Sequence, residues 1–420
     1  MNTFKPLVWL ALAALPLACT TQQHATTPAT SSESANDTTR IATNAARFPA
    51  AQWRHADPAS LGWSPARLAD ADTYAHRVGA TSLMIVQHGA VVDEWGDTQA
   101  KTPLYSVRKS LLSALIGIAV AQHRIDLDAT LAQLGIDDNA PALTPTERQA
   151  TVRELLEARS GVYHATTYET PWMQRIKPPR GSHAPGAFWC YNNWDFNALG
   201  GIYRQQSGHD IFTAFADEIA SPIGMQDYAP SDGRYASGEP DTRYPAYPID
   251  MSTRDLARFA WLYLNDGRWN GRQIVPAAWV EASTRPGSNT PWGGYGYMWW
   301  TSTPADAVDT AGNTASAPQI ASYWADGHLG QYAIVVPSLD LVVVSRVDPK
   351  QTSKHVSEPA RAHLMTLIEA ARPRKRCRER ELFTRRVHVI TANTSCFAGV
   401  SMPVRRALNA SIECEHLLIF

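Results

Sequence analysis

The sequence predicts an α+β fold, with one antiparallel sheet built from both ends of the folded body, flanking helices, and a helical lobe inserted between. Strand-like apolar runs sit near the start of the body (82–86 and 90–95) and again near its close (320–325, 331–336 and 341–347). The stretch between them is dominated by helical patterning. Runs of strands separated by runs of helices point to α+β layering and away from alternating βα units.

Each element has a local reason. SLMIV at 82–86 and AVVDEW at 90–95 are joined by His88-Gly89, a hairpin turn signal. SVRKSLLSALIGIAVAQH then predicts a helix over 106–123. It is apolar nearly all round after its first turn, so it should be the buried central helix. Helical patterning continues to about 158 and is stopped by Ser160-Gly161. The segment 162–189 reads as loop, punctuated by Pro171, Pro178, Pro179 and Pro185. Helices are expected over 194–206, 211–219, 253–265 and 276–283. The aromatic run GGYGYMWWT at 293–301 predicts one strand, and Pro337-Ser-Leu-Asp340 a turn between the last two strands. A helix over 359–371 closes the body.

The chain has 420 residues, with 38 basic against 39 acidic. That balance opposes nucleic-acid binding by the chain as a whole. With 44% hydrophobic and 18% charged residues it is a globular composition. The five cysteines do not form a disulfide scaffold, and Cys190 is the only one in the body.

The ends read as something other than the fold. Residues 1–18 have a basic start at Lys5 and an apolar run over 7–18 that is too short to span a bilayer, as expected of an export signal. A small residue precedes Cys19, which makes a lipid-anchored form on Cys19 one expectation and a plainly cleaved, secreted form the other. Both place the protein outside the cytoplasm, in the periplasm of a bacterial cell. Residues 19–46 read as a disordered Thr/Ser/Ala-rich linker, 47–371 as the domain, and 372–420 as a poorly ordered basic extension. The last fifty residues carry a net charge of +6 against −7 for the rest.

Three short motifs carry chemistry. Ser106-Val-Arg-Lys109 places a hydroxyl and an amine three residues apart on one helix face. A lysine forced into an apolar helix loses charge stabilisation, and the neutral amine can take a serine proton. The helix N-terminus favours developing negative charge. Tyr191-Asn-Asn193 offers a phenol that can move protons beside an amine, and an amide that can bond a substrate carbonyl or Lys109. Tyr263-Leu-Asn265 shares that spacing but lies inside an amphipathic helix, where the tyrosine reads as core. His328-Leu-Gly330-Gln331 opens a strand. Its glycine permits close backbone approach to a ligand. The N–H of Gln331 could join that of Ser106 as an oxyanion hole, and His328 could meet a substrate carboxylate or position the tyrosine.

Together, in this order, the motifs resemble the serine β-lactamase-like hydrolases, which include class C β-lactamases, penicillin-binding peptidases, esterases and aminohexanoate-oligomer hydrolases. TVRELLEARSGVYH, PGAFWCYNNWDFNALGGIYRQQSG and MSTRDLARFAWLYLNDGRWNGRQIV look like further segments of that family, so the resemblance spans about 51–371. It implies a β-lactamase/transpeptidase-like fold. It implies Ser106 as acylated nucleophile, Lys109 and Tyr191 sharing the proton work, Asn193 as a substrate or Lys109 contact, and His328 and Gly330 on the strand side of the cleft. His328 stands where class C enzymes carry a lysine directed at the substrate carboxylate, which favours a neutral ester or amide. The expected function is therefore an exported serine hydrolase of small-molecule esters, amides or peptides. A β-lactamase, a D-alanyl-D-alanine carboxypeptidase, and a non-catalytic binding homologue are the alternatives.

Tyr163, Tyr168, Trp172 and Trp189 precede Tyr191 and could grip an apolar substrate group or simply pack the loop. Cys190 reads as a small buried hydrophobe. No metal-ligand spacing and no glycine-rich phosphate loop occurs, so no metal or other cofactor is expected.

Overall fold

The computed structural model describes residues 47–302 and 321–372. The export signal, Cys19 and the linker lie outside the described residues, as does the basic extension beyond Arg372.

Among the described residues, the main sheet has eight antiparallel strands. Strands β1 (Ser82–Gln87) and β2 (Ala90–Gly96) come from the start of the body. After the short pairs β3 (Thr102–Pro103) with β4 (Asp250–Met251) and β5 (Arg268–Trp269) with β6 (Arg272–Gln273) come β7 (Ser288–Thr290), β8 (Gly293–Tyr295) and β9 (Trp300–Ser302). The sheet is completed by β10 (Ser322–Gly327), β11 (Gln331–Val336) and β12 (Leu341–Arg346). The order is β2-β1-β12-β11-β10-β9-β8-β7. The pairing of β1 with β12, Ser82 opposite Arg346 through Gln87 opposite Leu341, joins the two ends of the body.

Every residue of β1, β11 and β12 is buried. That is why these strands read as continuous apolar runs and not as alternation: both faces are covered. Helix α1 (Pro65–Val78) packs against the last helix, with Tyr74 and His363 rings 4.6 Å apart. The sequence reading missed α1, whose start is marked by a Ser64 cap and Pro65 in the first turn. Helix α2 (Arg108–Ala121) is buried from Arg108 through Ala119, as expected of the central helix.

Between β2 and β10 the chain also forms α3 (Val152–Leu156), α4 (Pro171–Ile176), α5 (Asn193–Ser207), α6 (Ile211–Phe215), α7 (Thr253–Leu264) and α8 (Ala277–Ser283). Helix α9 (Glu358–Ala371) closes the body. Helix α7 lies against β1, β11 and β12.

Three local expectations need correction. Most of 122–150 is turn and loop, because Asp126, Asp128, Pro141 and Pro145 interrupt the helical pattern. The loop at 162–189 contains α4, started by a Thr170 cap and Pro171. The single strand over 293–301 is really β8 and β9 separated by a turn with Met298 at φ 61°. The turn is held by Ser110 Oγ and Ser113 Oγ of α2, which donate to the Met298 and Tyr297 carbonyls at 2.8 and 2.7 Å. These bonds also satisfy two buried hydroxyls in an apolar helix.

Candidate active site

Ser106 is delivered by a tight turn. Tyr105 adopts φ 48°, a left-handed conformation unusual for a bulky residue, and Tyr105–Val107 forms a 3-10 turn that leads into α2. Ser106 therefore sits before α2 and not within its first regular turn. The turn is anchored from the side: Leu104 N–H donates to the Ile249 carbonyl at 2.9 Å beside the β3–β4 pair. Arg346 is fully buried and holds the same region, donating to the Thr102 carbonyl at 2.9 Å and the Met251 carbonyl at 3.0 Å.

Lys109 lies one helical turn beyond Ser106. Its Nζ is 2.9 Å from Ser106 Oγ and 2.6 Å from Tyr191 Oη. It is 1% exposed. Burial, then repulsion from Arg108, drives the amine well below its usual pKa, against a weaker pull from Asp326. Burial pushes the Tyr191 phenol upward, opposed by its hydrogen bond with Ser106. Both groups are thereby favoured in their uncharged forms, and a neutral amine has a lone pair for the serine proton.

Tyr191 is set by its neighbours. The Cys190 N–H donates to the Ala158 carbonyl at 2.8 Å, and the Asn192 side chain caps α5 by accepting from Trp194 N–H. Asp195 on that first turn accepts from Ser160 Oγ at 2.6 Å, and burial holds its carboxyl well above the usual range. The Tyr191 ring stacks on Trp300 at 5.5 Å.

A cavity of about 830 Å³ opens on this group. Ser106, Tyr191, Asn193 and His328 line it, together with Trp172, Trp292, Trp300 and Trp324. The remaining expected residues lie elsewhere. Gly330, at φ 100°, has Val356 so close that a Cβ would lie 2.7 Å from that residue's carbonyl oxygen, so its approach is to the protein's own backbone. Gln331 is fully buried, donates to the Val347 carbonyl at 2.7 Å and accepts from Arg346 Nε at 2.7 Å. It supports Arg346 and does not line the cavity. Tyr163 is buried with its hydroxyl 3.3 Å from His183 Nδ1, outside the lining. Asn193 does not bond Lys109; its Nδ2 donates to the Tyr168 carbonyl at 2.6 Å.

His328 is exposed at the cavity, edge-on to the Tyr105 ring at 5.4 Å. Burial of part of the ring and repulsion from His355 lower its pKa, so it is favoured neutral. It touches Tyr105, not Tyr191. The residue that brings this strand end to Ser106 is Gly327, where a Cβ would lie 2.4 Å from the Leu104 carbonyl oxygen.

Sequence reasoning passed over Asp326, Asp250 and Arg108, all in the lining. Asp326 was findable: two residues after Trp324 on β10, it shares that residue's face. Asp250 had no signal, because it enters through the two-residue strand β4.

A family model described as beta-lactamase matches residues 65–361. The chain belongs to the beta-lactamase family. Its match spans the Ser106, Lys109, Tyr191 and Asp326 positions together. The fold is similar to that of a putative 6-aminohexanoate-dimer hydrolase from Bacillus anthracis, at TM-score 0.54 and 20% identity over 77% of this chain and 88% of that one. It is also similar to an octameric penicillin-binding protein homologue from Pyrococcus abyssi, at TM-score 0.52 and 17% identity over 74% and 77%. A putative beta-lactamase from Bacteroides dorei DSM 17855 gives TM-score 0.51 and 16% identity over 72% and 98%. This beta-lactamase-family hydrolase has the antiparallel sheet and flanking helices expected of the β-lactamase/transpeptidase-like fold.

Proposed function

We propose that the protein is an exported serine hydrolase that cleaves carboxylic esters or amides through an acyl-enzyme on Ser106. The observation that carries this is the buried contact of Lys109 Nζ with both Ser106 Oγ and Tyr191 Oη at the edge of the cavity. Ser106 Oγ attacks the carbonyl carbon while its proton passes to the Lys109 amine. The backbone N–H groups of Ser106 and His328 receive the developing oxyanion; Gly327 supports this role for His328 by packing backbone against backbone at Leu104. Tyr191 relays the proton to the leaving alcohol or amine. Water then takes the place of the leaving group, gives its proton back through the same pair, and releases the acid and free Ser106.

A fluorophosphonate or nitrophenyl ester tests the reading: it should produce an adduct or burst at Ser106, and folded protein with neither would reject it. Export rests on the leader-like 1–18, and a lipid on Cys19 on the small residue before it; metabolic labelling with a fatty-acid probe distinguishes the lipidated from the cleaved form.

The family match itself favours a second reading, turnover of β-lactams or D-alanyl peptides. A neutral His328 is a poor partner for their carboxylate. Fluorescent penicillin separates the two: labelling or turnover supports the second reading, and its absence supports the ester or amide one.

A further inference from the structure

Among the described residues, four carboxylates line the cavity: Glu169, Asp250, Asp326 and Glu358. Two are engaged by the protein itself. Glu169 pairs with Lys177, and Glu358 accepts from Arg361 Nε at 2.7 Å. Asp250 and Asp326 have neither a side-chain hydrogen bond nor an ion pair among the described residues. Asp326 is partly buried and set in an aromatic wall: it shares a strand face with Trp324, opposes Tyr332 on β11, and Trp324 opposes Trp300 on β9.

An independent observation adds a further acceptor. Asn193 is 2% exposed and lines the same cavity, and its Oδ1 has no donor among the described residues. Two buried cations feel these carboxylates but are held by other partners: Arg361, over the Trp324 ring at 4.1 Å, pulls on Asp326 while donating to Glu358, and Arg346 pulls on Asp250 while donating to Gln331 and to the Thr102 and Met251 carbonyls. Lys109 is favoured neutral. Arg108 lies over the Tyr247 ring at 4.1 Å and donates to Asn197 at 3.2 Å through Nη2, while its buried Nη1 has no acceptor among the described residues. Arg175 and Arg234 are exposed, where solvent screens them.

An unpaired carboxylate against apolar walls is costly unless a ligand completes it. A primary ammonium supplies the opposite charge and three N–H donors, and aromatic faces welcome a cation. Building on the hydrolase reading, we propose that the substrate carries a protonated primary amine that seats on Asp326, with its apolar part against Trp300 and Trp324. Asn193 Oδ1 offers a further acceptor to an amine or amide N–H of the same substrate. The site would thus select a cation, the reverse of a cleft built for a substrate carboxylate.

The test uses the Ser106→Ala protein and calorimetry at pH 8 with benzylammonium, benzyl alcohol and benzoate, which share one ring and differ in charge. Benzylammonium should bind at least tenfold more tightly than either of the others. Adding Asp326→Asn should cut that preference below threefold. A second measurement needs no Asp326 variant: burial, then Glu358 on α9, holds the Asp326 carboxyl up at about 7 against the pull of Arg361 on α9 and Lys109 on α2, so the preference should grow as pH rises from 6 to 8. Equal or tighter binding of benzoate, or a preference that Asp326→Asn leaves intact, or one that does not grow with pH, overturns the proposal. Ammonium selectivity in a protein that never acylates would sink the hydrolase reading alone. Ester turnover without ammonium selectivity would sink this proposal alone.

Discussion

The Lys109 amine lies 2.6 Å from the Tyr191 phenol, although the two residues are 82 positions apart in the chain. Burial favours the uncharged form of each, so the pair can pass a proton without separating charge in an apolar site. The Nζ also sits over the Tyr191 and Phe196 rings at 4.2 and 4.4 Å, which fixes its position.

Lys109→Ala should therefore cost nearly as much as Ser106→Ala, about 10³- to 10⁴-fold in kcat/KM, because the residues act as a unit. Tyr191→Phe should cost about 10²-fold. Steady-state kinetics on one activated ester check both; a Lys109→Ala enzyme with most of its acylation rate contradicts the shared role.

The pH profile follows from the same burial. The working form of Lys109 is the neutral amine, so kcat/KM should rise with pH as that group loses its proton. Its folded-state pKa lies below the unfolded value, so between the two the unfolded chain binds more protons. Stability contributed through this group should accordingly rise with pH across that window. Kinetics and urea melts across a pH series measure the two effects.

Asp326 has the opposite sign. Its carboxyl is raised to about 7, first by burial and then by Glu358, so between about 4 and 7 the folded state holds the extra proton. Its contribution to stability should fall as pH rises through that window. Asp326→Asn should therefore stabilise the protein at pH 8 relative to pH 5, by on the order of 1–3 kcal/mol. Urea midpoints at the two pH values decide this, and an equal effect at both contradicts it.

Gly327→Ala should harm the site more than its size suggests. A methyl 2.4 Å from the Leu104 carbonyl oxygen meets backbone that cannot rotate away. Overpacking of this kind costs about 1–3 kcal/mol. It should also lower kcat by at least about tenfold, since a small misplacement at the reacting atoms is expensive. Retention of full kcat in a folded variant would show that β10 does not position Ser106.

Tyr163→Phe should leave kcat/KM within about threefold and lower stability by about 1 kcal/mol or less, because it removes one 3.3 Å bond to His183 outside the cavity. A large catalytic loss would place Tyr163 back among the substrate contacts.

The parts of this architecture legible in the chain were those written in local pattern. The apolar runs of β1, β11 and β12 and the buried stretch of α2 are each continuous in sequence, and Ser106 and Lys109 are one turn apart. Side-chain direction at a turn was not legible. His328, Gly330 and Gln331 are neighbours, yet His328 faces the cavity, Gly330 faces Val356, and Gln331 faces Arg346. The spacing of the motif is compatible with any of those directions. Asp250 was hidden for another reason: its place depends on Pro103, opposite it in the β3–β4 pair and nearly 150 residues earlier.

Intact-protein mass spectrometry after exposure to a fluorophosphonate decides whether Ser106 is the nucleophile. A single adduct should form that peptide mapping assigns to Ser106, abolished in Ser106→Ala and slowed at least about a hundredfold in Lys109→Ala. An adduct on another residue, or a folded protein that takes up none, would contradict it.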